Sequence, residues 1–485
     1  MNRIVDAGES YLPYRNLPPL AGLVKNMSEA IKNHGLRVEE VVTRFKRFHY
    51  GFKRLHQIFN DHIPSEPIYE LKMAFSLHAH LCAEHVGAVR KRISEMREPP
   101  LGLGKVPHPA LETFFDEILK TPSTEERLAA IYEVAIPALI RGFERHQKES
   151  HPLADQPSLR VGKFALLELG EMAAYGAAAV PCLVDEEKRN AMLEWLAYLQ
   201  NLLAQAGDLD GTQPPMAPEA VRRPERLYSD TPYQIDVVVR RDERFFDPYN
   251  MGVNAEAYLY EPAFDEASKV LMMFYKRLRE IDVPEMMATI VGQTKGKPWP
   301  YYQEMTRQLW DEARHAMMGE IGFISLGIDW KKVPINFTWS LGLNTQLKPL
   351  ERHAVLYFIE QGLMPKTGKR YEWEVGVASQ HPLAGLFQDF DWADEVLHAH
   401  IGRNWYLSEM PGAKEAIDYG DACWSKVLMD WGAWQREGKT AHRNWWPEIY
   451  QTACQKAGVA PREDQLAYAT SYQKKRADLK MIPAE

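Results

Sequence analysis

Two segments of this chain repeat one pattern: Asp311-Glu-Ala-Arg-His315 and Asp394-Glu-Val-Leu-His398, each followed four residues later by a glycine, Gly319 and Gly402. Of the sixteen histidines, only His315 and His398 have a Glu three residues before and an Asp four residues before. A lone Glu-x-x-His is weak evidence, since about one is expected by chance in a chain of this size. Two copies with matching flanks constrain the fold far more. On a helix, residues i and i+3 share a face, so a carboxylate and an imidazole at that spacing can ligate one metal ion. The Asp one turn before each His can accept the second ring N–H, fixing the tautomer. The glycine one turn later leaves room for a neighbouring helix to pack closely. The plainer reading, a solvated helix face with a stray His, conflicts with the apolar flanks Leu309, Trp310, Ala316, Met317, Phe390, Trp392 and Ala393.

The surrounding sequence reads as helix. Apolar residues recur at three- and four-residue spacing in 70–95, 124–146 and 187–206, and alternating β-branched runs are rare. The stretch 161–179 is apolar enough to be a buried helix. Between 207 and 260 Gly, Pro and Asp cluster, with one possible short strand at Ile235–Val239. The expected organisation is an all-α chain: an N-terminal helical domain over 1–206, an irregular connector over 207–260, a metal-binding helical bundle over 261–445 and a charged surface tail over 446–485.

The 485 residues are 45 % apolar and 26 % charged, ordinary for a globular protein with a large core. A formal net charge of -8 argues against a nucleic-acid partner, although a local basic patch could hide in it. The first sixteen residues show no secretory h-region and no apolar run approaches bilayer length, so no membrane partner and a cytoplasmic location are expected. Cys82, Cys182, Cys423 and Cys454 lack metal-type spacing and read as buried thiols in a reducing compartment.

Two Glu-x-x-His helices supply half of a dinuclear carboxylate site, and each needs a partner helix with an inward Glu. Glu360 fits the second, on the stripe His353, Leu356, Glu360, Leu363 of a helix that must end near Pro365. For the first, Glu285 is the only charged member of the stripe Leu271, Phe274, Leu278, Ile281, Glu285, Ala288, Gly292. Glu280 is the alternative, set aside because Lys276 and Arg277 share its face and suggest solvent. His353 and Asp391 also lie on the ligand faces, as extra ligands or as hydrogen-bonding core residues.

One Glu from each of two helices plus Glu-x-x-His from each of two others resembles the ligand set of ferritin-like di-iron and di-manganese carboxylate bundles, a class the general rules of helical bundles include. The Asp311–His315 segment looks like its counterpart in bacterial multicomponent monooxygenases and ribonucleotide reductase small subunits, and the overall texture resembles the tRNA-hydroxylase-like branch. The resemblance covers about 264–405. It implies a ferritin-like four-helix bundle with Glu285, Glu312, His315, Glu360, Glu395 and His398 as metal ligands and Asp311 and Asp394 behind them. It implies two Fe ions, with Mn or a mixed Mn/Fe pair as the alternative, since an oxygen-rich donor set suits either. The expected activity is that of an O2-activating oxidase or monooxygenase, an oxidoreductase fed by an electron-donor protein, possible as a homodimer. The alternatives are a non-catalytic ferritin-like metal-binding or stress protein, and a scaffold for another protein.

The first half resembles a degenerate copy of the second. Glu84, Glu133 and Glu168 are separated by 49 and 35 residues, Glu312, Glu360 and Glu395 by 48 and 35, and His-Pro-Leu-Ala occurs at both His151 and His381. The copy lacks the two metal histidines. Its carboxylates are therefore expected to share protons, to pair with Arg90 or Arg160, or to face water.

Overall fold

Helix-start chemistry sets the elements. In the computed structural model, which describes residues 4–24, 26–97, 101–336, 340–428 and 431–472, helix is the only regular secondary structure among the described residues. The chain is all-α, as the periodicity indicates. Ile235–Val239 is irregular rather than a strand, since with no strand to pair with, its backbone has no ladder to join.

The chain divides into two compact units, Met1–Ile58 with Leu81–Gln234, and Phe59–His80 with Ile235–Glu485. The boundary between Gln234 and Ile235 falls inside the connector expected over 207–260, and Phe59–His80 joins the second unit. Helices Val38–His62 and Tyr69–Ser94 each run through a boundary, so a unit need not be one contiguous stretch.

The first unit packs helices Pro109–Lys120, Ile136–Glu149, Gln156–Leu183 and Glu186–Gln205 around Phe45, Phe48, Phe52, Phe114, Ile118, Leu139 and Phe143. Gln156–Leu183 is long and apolar enough by composition to cross a membrane, yet only 22 % of its most apolar stretch is buried. It is therefore not the buried helix expected at 161–179. Gly162, Ala165, Leu169, Met172, Gly176 and Val180 form its one packed face, while Phe164 and Leu167 are exposed. Cys182 is exposed as well, whereas the other three cysteines are buried.

In the second unit, α1 is Glu266–Arg279, α2 Asp282–Gln293, α3 Trp299–Ser325, α4 Pro349–Gly362, α5 Lys369–Ala378, α6 Pro382–Trp405, α7 Ala413–Leu428 and α8 Trp446–Ala457. Asp265 caps α1 by accepting from the Ser268 N–H, and His381 caps α6 by accepting from the Ala384 N–H with Pro382 in the first turn. His151 Nδ1 likewise accepts the Leu153 and Ala154 N–H groups. The repeated His-Pro-Leu-Ala thus closes a turn at His151 and caps a helix at His381. α1 packs on α3, α3 on α6, and α6 on α4.

The tail departs from expectation. Trp446, Ile449, Tyr450, Cys454 and Tyr468 are buried in the core that holds Tyr258, Tyr275 and Phe323. Arg279 donates to Tyr472 and, over 2.5 Å, to Glu256. The segment's charges sit on the outer side of an aromatic inner face. Residues 473–485 of the expected tail lie outside the described residues.

Candidate metal centre

Two glycines let the motif helices sit this close. A Cβ at Gly319 would lie 2.2 Å from the Leu278 backbone N and 2.6 Å from the Phe274 carbonyl O, so α1 rests on α3 at backbone contact. A Cβ at Gly402 would lie 2.5 Å from the Tyr357 ring of α4. The packing carries both histidines inward, fully buried, with ring centroids 6.0 Å apart.

Each Nδ1 faces carboxylates. That of His315 lies 3.4 Å from Glu280, 3.6 Å from Glu312 and 3.5 Å from Asp391. That of His398 lies 3.1 Å from Glu312, 3.8 Å from Glu360 and 3.5 Å from Glu395. The outer ring nitrogens reverse an expectation. Asp394 stands 3.1 Å from His315 Nε2 and Asp311 stands 3.5 Å from His398 Nε2, so each motif's Asp backs the other motif's His. Arg314, the variable residue before His315, donates to both aspartates, over 2.8 Å to Asp394. Arg307 adds donors to Asp311 at 2.9 Å.

The inner atoms fall into two groups, each with donor atoms within 4.8 Å of one another: Glu280, His315, Asp391 and Glu395; and Glu312, Glu360, Glu395 and His398. Five of the six expected ligands are brought together. Glu285 is not. It is buried, but its carboxylate accepts from Lys72 at 2.5 Å, from Arg241 at 2.8 and 3.0 Å and from Ser340 at 2.8 Å. Glu280 occupies the place expected for it. The reason is a break in the helix. Pro284 has no N–H for the Glu280 carbonyl, and its ring crowds that carbonyl. Glu280 and Ile281 therefore close on Arg277 and Leu278 by three-residue bonds. The 3-4-3-4 stripe from Leu271 to Gly292 is cut between α1 and α2, and residues beyond the cut face elsewhere.

The charge on the face of Glu280 is also buried. Arg277 is 0 % exposed and pairs with Glu280 at 2.7 Å and with Asp391. Lys369, 1 % exposed at the start of α5, pairs with Glu395 at 2.8 Å and donates to both oxygens of Asp391 at 2.9 and 3.0 Å. Glu372 beside them is paired with Lys276. Neither cation was legible as part of the site. Lys369 lies in a short helix after a Pro-Lys-Thr-Gly turn, with no periodic signal pointing inward.

The electrostatics follow. Burial opposes ionisation of Glu280, but Arg277 and Lys369 outweigh it and hold the carboxyl down at about 2. Burial and the neighbouring Glu395 charge push Glu360 well above the usual carboxylate range. Burial disfavours an imidazolium at His315, yet Asp394, Glu280 and Glu312 lift it to about 10. His398 is raised in the same way by Asp311 and Glu312. Each proton is held where carboxylates converge.

A metal fits these donors. Glu280 Oε2, His315 Nδ1, Glu360 Oε2, Glu395 Oε2 and His398 Nδ1 are buried without an aligned hydrogen bond, although such atoms are nearly always bonded in a folded protein. Gln308 donates to Glu360 Oε1 at 3.0 Å. His353 stands apart from both groups, among the rings of Tyr301 and Tyr406.

In the first half the matched carboxylates do not converge. Glu84 is exposed, Glu133 pairs with Arg189, and Glu168 pairs with His85 at 2.7 Å. Of the expected outcomes, Glu84 faces water, while Glu133 and Glu168 take other partners and Arg160 lies over the Phe164 ring. Among the described residues both candidate metal groups fall within 280–398. No family model, curated protein or solved structure matches this chain.

Proposed function

We propose that the second unit is a ferritin-like four-helix bundle, formed by α1, α3, α4 and α6, that holds two metal ions, iron with manganese or Mn/Fe as the alternative. Its ligands are Glu280, Glu312, His315, Glu360, Glu395 and His398, and its activity is that of an O2-dependent oxidase or monooxygenase. The observation that carries this reading is the convergence of buried donor atoms without hydrogen bonds between two Glu-x-x-His helices. The donor set is mostly carboxylate with two imidazoles, which suits iron or manganese.

A pair of Fe(II) ions held by these six residues would supply electrons for the reduction of O2, with an electron-donor protein as the source of their replacement. The chain's own residues do the rest. Asp394 and Asp311 orient the imidazoles so that Nδ1 faces inward. Arg314 ties the two aspartates together. Glu312, His315, Glu360, Glu395 and His398 are buried and Glu280 is half-buried beside them, which limits the access of bulk water to the reacting atoms.

The test is metal content by elemental analysis together with oxygen consumption by the reduced protein. Metal with rapid O2 uptake supports the oxygenase reading. Metal with slow uptake and particulate iron shifts it to storage, and a protein that binds no iron or manganese rejects it. His315→Ala and His398→Ala are each expected to lower metal content sharply while leaving the helical circular dichroism signal in place.

A further inference from the structure

The two metal positions are not electrostatically equivalent. Around the Glu312, Glu360, Glu395 and His398 group, Gln308 is the only amide donor among the described residues, and the unbonded buried atoms Glu360 Oε2, Glu395 Oε2 and His398 Nδ1 lie close to one another. The Glu280, His315, Asp391 and Glu395 group differs. Both oxygens of Asp391 already accept from Lys369, Asp391 is also paired with Arg277, Glu280 is paired with Arg277, and Glu395 Oε1 is 2.8 Å from Lys369 Nζ.

Charge matches this geometry. Arg277 and Lys369 neutralise Glu280 and Asp391 one for one. Glu312, Glu360 and Glu395 are left for a divalent ion. Glu395 offers Oε1 to the lysine and Oε2 to the His398 side, so it can bridge two metals only if the ammonium gives way.

We propose that Lys369, seconded by Arg277, is a resident cation of the Glu280, His315, Asp391 and Glu395 position, so that the centre fills in a fixed order: the Glu312, Glu360, Glu395 and His398 position binds tightly, and the other admits a metal only against the ammonium. Lys369 is a positioning residue in this scheme, and the inference rests on the dinuclear reading above. One competing charge at contact distance should separate the two apparent affinities by at least about tenfold, about 1.4 kcal/mol.

The experiment titrates the chelator-stripped full chain anaerobically with Co(II), following visible absorption and heat. Wild type should show two steps. Glu360→Gln should remove the tight step, and Glu280→Gln only the weak one. Lys369→Met should tighten the weak step by at least about tenfold, about 1.4 kcal/mol, whereas Lys369→Arg should leave the steps apart. Two equal steps in wild type, or loss of the weak step in Glu360→Gln with the tight one intact, overturn the proposal while leaving the dinuclear reading standing. No binding in wild type overturns both. The order of filling is read from wild type alone, so it remains testable if a variant fails to fold.

Discussion

Replacing Gly319 by Ala tests whether the proposed metal centre depends on backbone contact between α1 and α3. The added Cβ would lie 2.2 Å from the Leu278 N and 2.6 Å from the Phe274 O, where ordinary contact begins near 3.4 Å. Neither neighbour is a side chain that can rotate away, so α1 itself must shift. Overpacking of this kind costs up to about 3 kcal/mol. Ala in place of Gly within a helix returns about 1 kcal/mol. A net loss of about 2 kcal/mol lowers the melting temperature by roughly 4–8 °C in a unit of this size. Leu278 stands between Arg277 and Glu280, so the same shift withdraws the Glu280 carboxylate and should reduce metal content. Gly170→Ala is the control. Gly170 also lies in a helix, is exposed, and has nothing within 4 Å of a Cβ. It should gain about 1 kcal/mol. Thermal unfolding of the metal-free proteins by circular dichroism compares them. A Gly319→Ala protein as stable as wild type, or stabilised like Gly170→Ala, would refute the packing argument.

Two further substitutions separate ligand from structural carboxylate. Glu280→Gln should halve the metal bound at saturation with little loss of stability. Glu285→Gln should leave metal content intact but cost about 3–5 kcal/mol, because buried Lys72 would lose its partner carboxylate and Arg241 would keep only Asp282; urea unfolding with elemental analysis distinguishes the two. Acid should weaken the fold well above the carboxylate range. Burial holds His49, His146 and His353 down at about 4 and His56 and His78 at about 3. Each is neutral when folded and protonates near pH 6.5 when unfolded. Their contribution is therefore present above pH 6.5 and is lost as the pH falls towards 4, by roughly 1–2 kcal/mol per histidine at pH 5. Chemical denaturation at pH 7.5 and pH 5 measures this, and equal stabilities would contradict it.

Periodicity made the all-α class and the main helices legible, and Pro365 and Pro382 marked the end of α4 and the start of α6. Burial was less legible. The 161–179 stretch is apolar by composition, but many of its residues are alanines that cover little area, so the helix buries one narrow face and leaves Phe164 and Leu167 in water. The tail misled in the opposite direction. Its Lys, Arg and Glu residues suggested a surface segment, while Trp446, Tyr450 and Tyr468, spaced among them, reach the core.

The centre shows how far local spacing carries an inference. Helical spacing correctly placed Glu312 with His315 and Glu395 with His398 on shared inward faces, because i and i+3 are set by the helix alone. What each face meets is set by the neighbouring helix. The i, i+4 spacing within each motif pointed to Asp311 as the support of His315. Yet Asp and His one turn apart on a single helix project side by side, and an imidazole turned inward presents its outer nitrogen to the facing helix. The aspartate there belongs to the other motif, so the supports cross between α3 and α6, with Arg314 joining them. Glu280 was set aside for a related reason. Lys276 and Arg277 beside it suggested a solvated face, but several buried carboxylates cannot remain ionised without buried cations. A run of basic residues next to an acidic ligand candidate is therefore evidence for a charged interior as much as for a surface. The choice between them turned on Pro284, whose missing N–H ends the stripe that favoured Glu285.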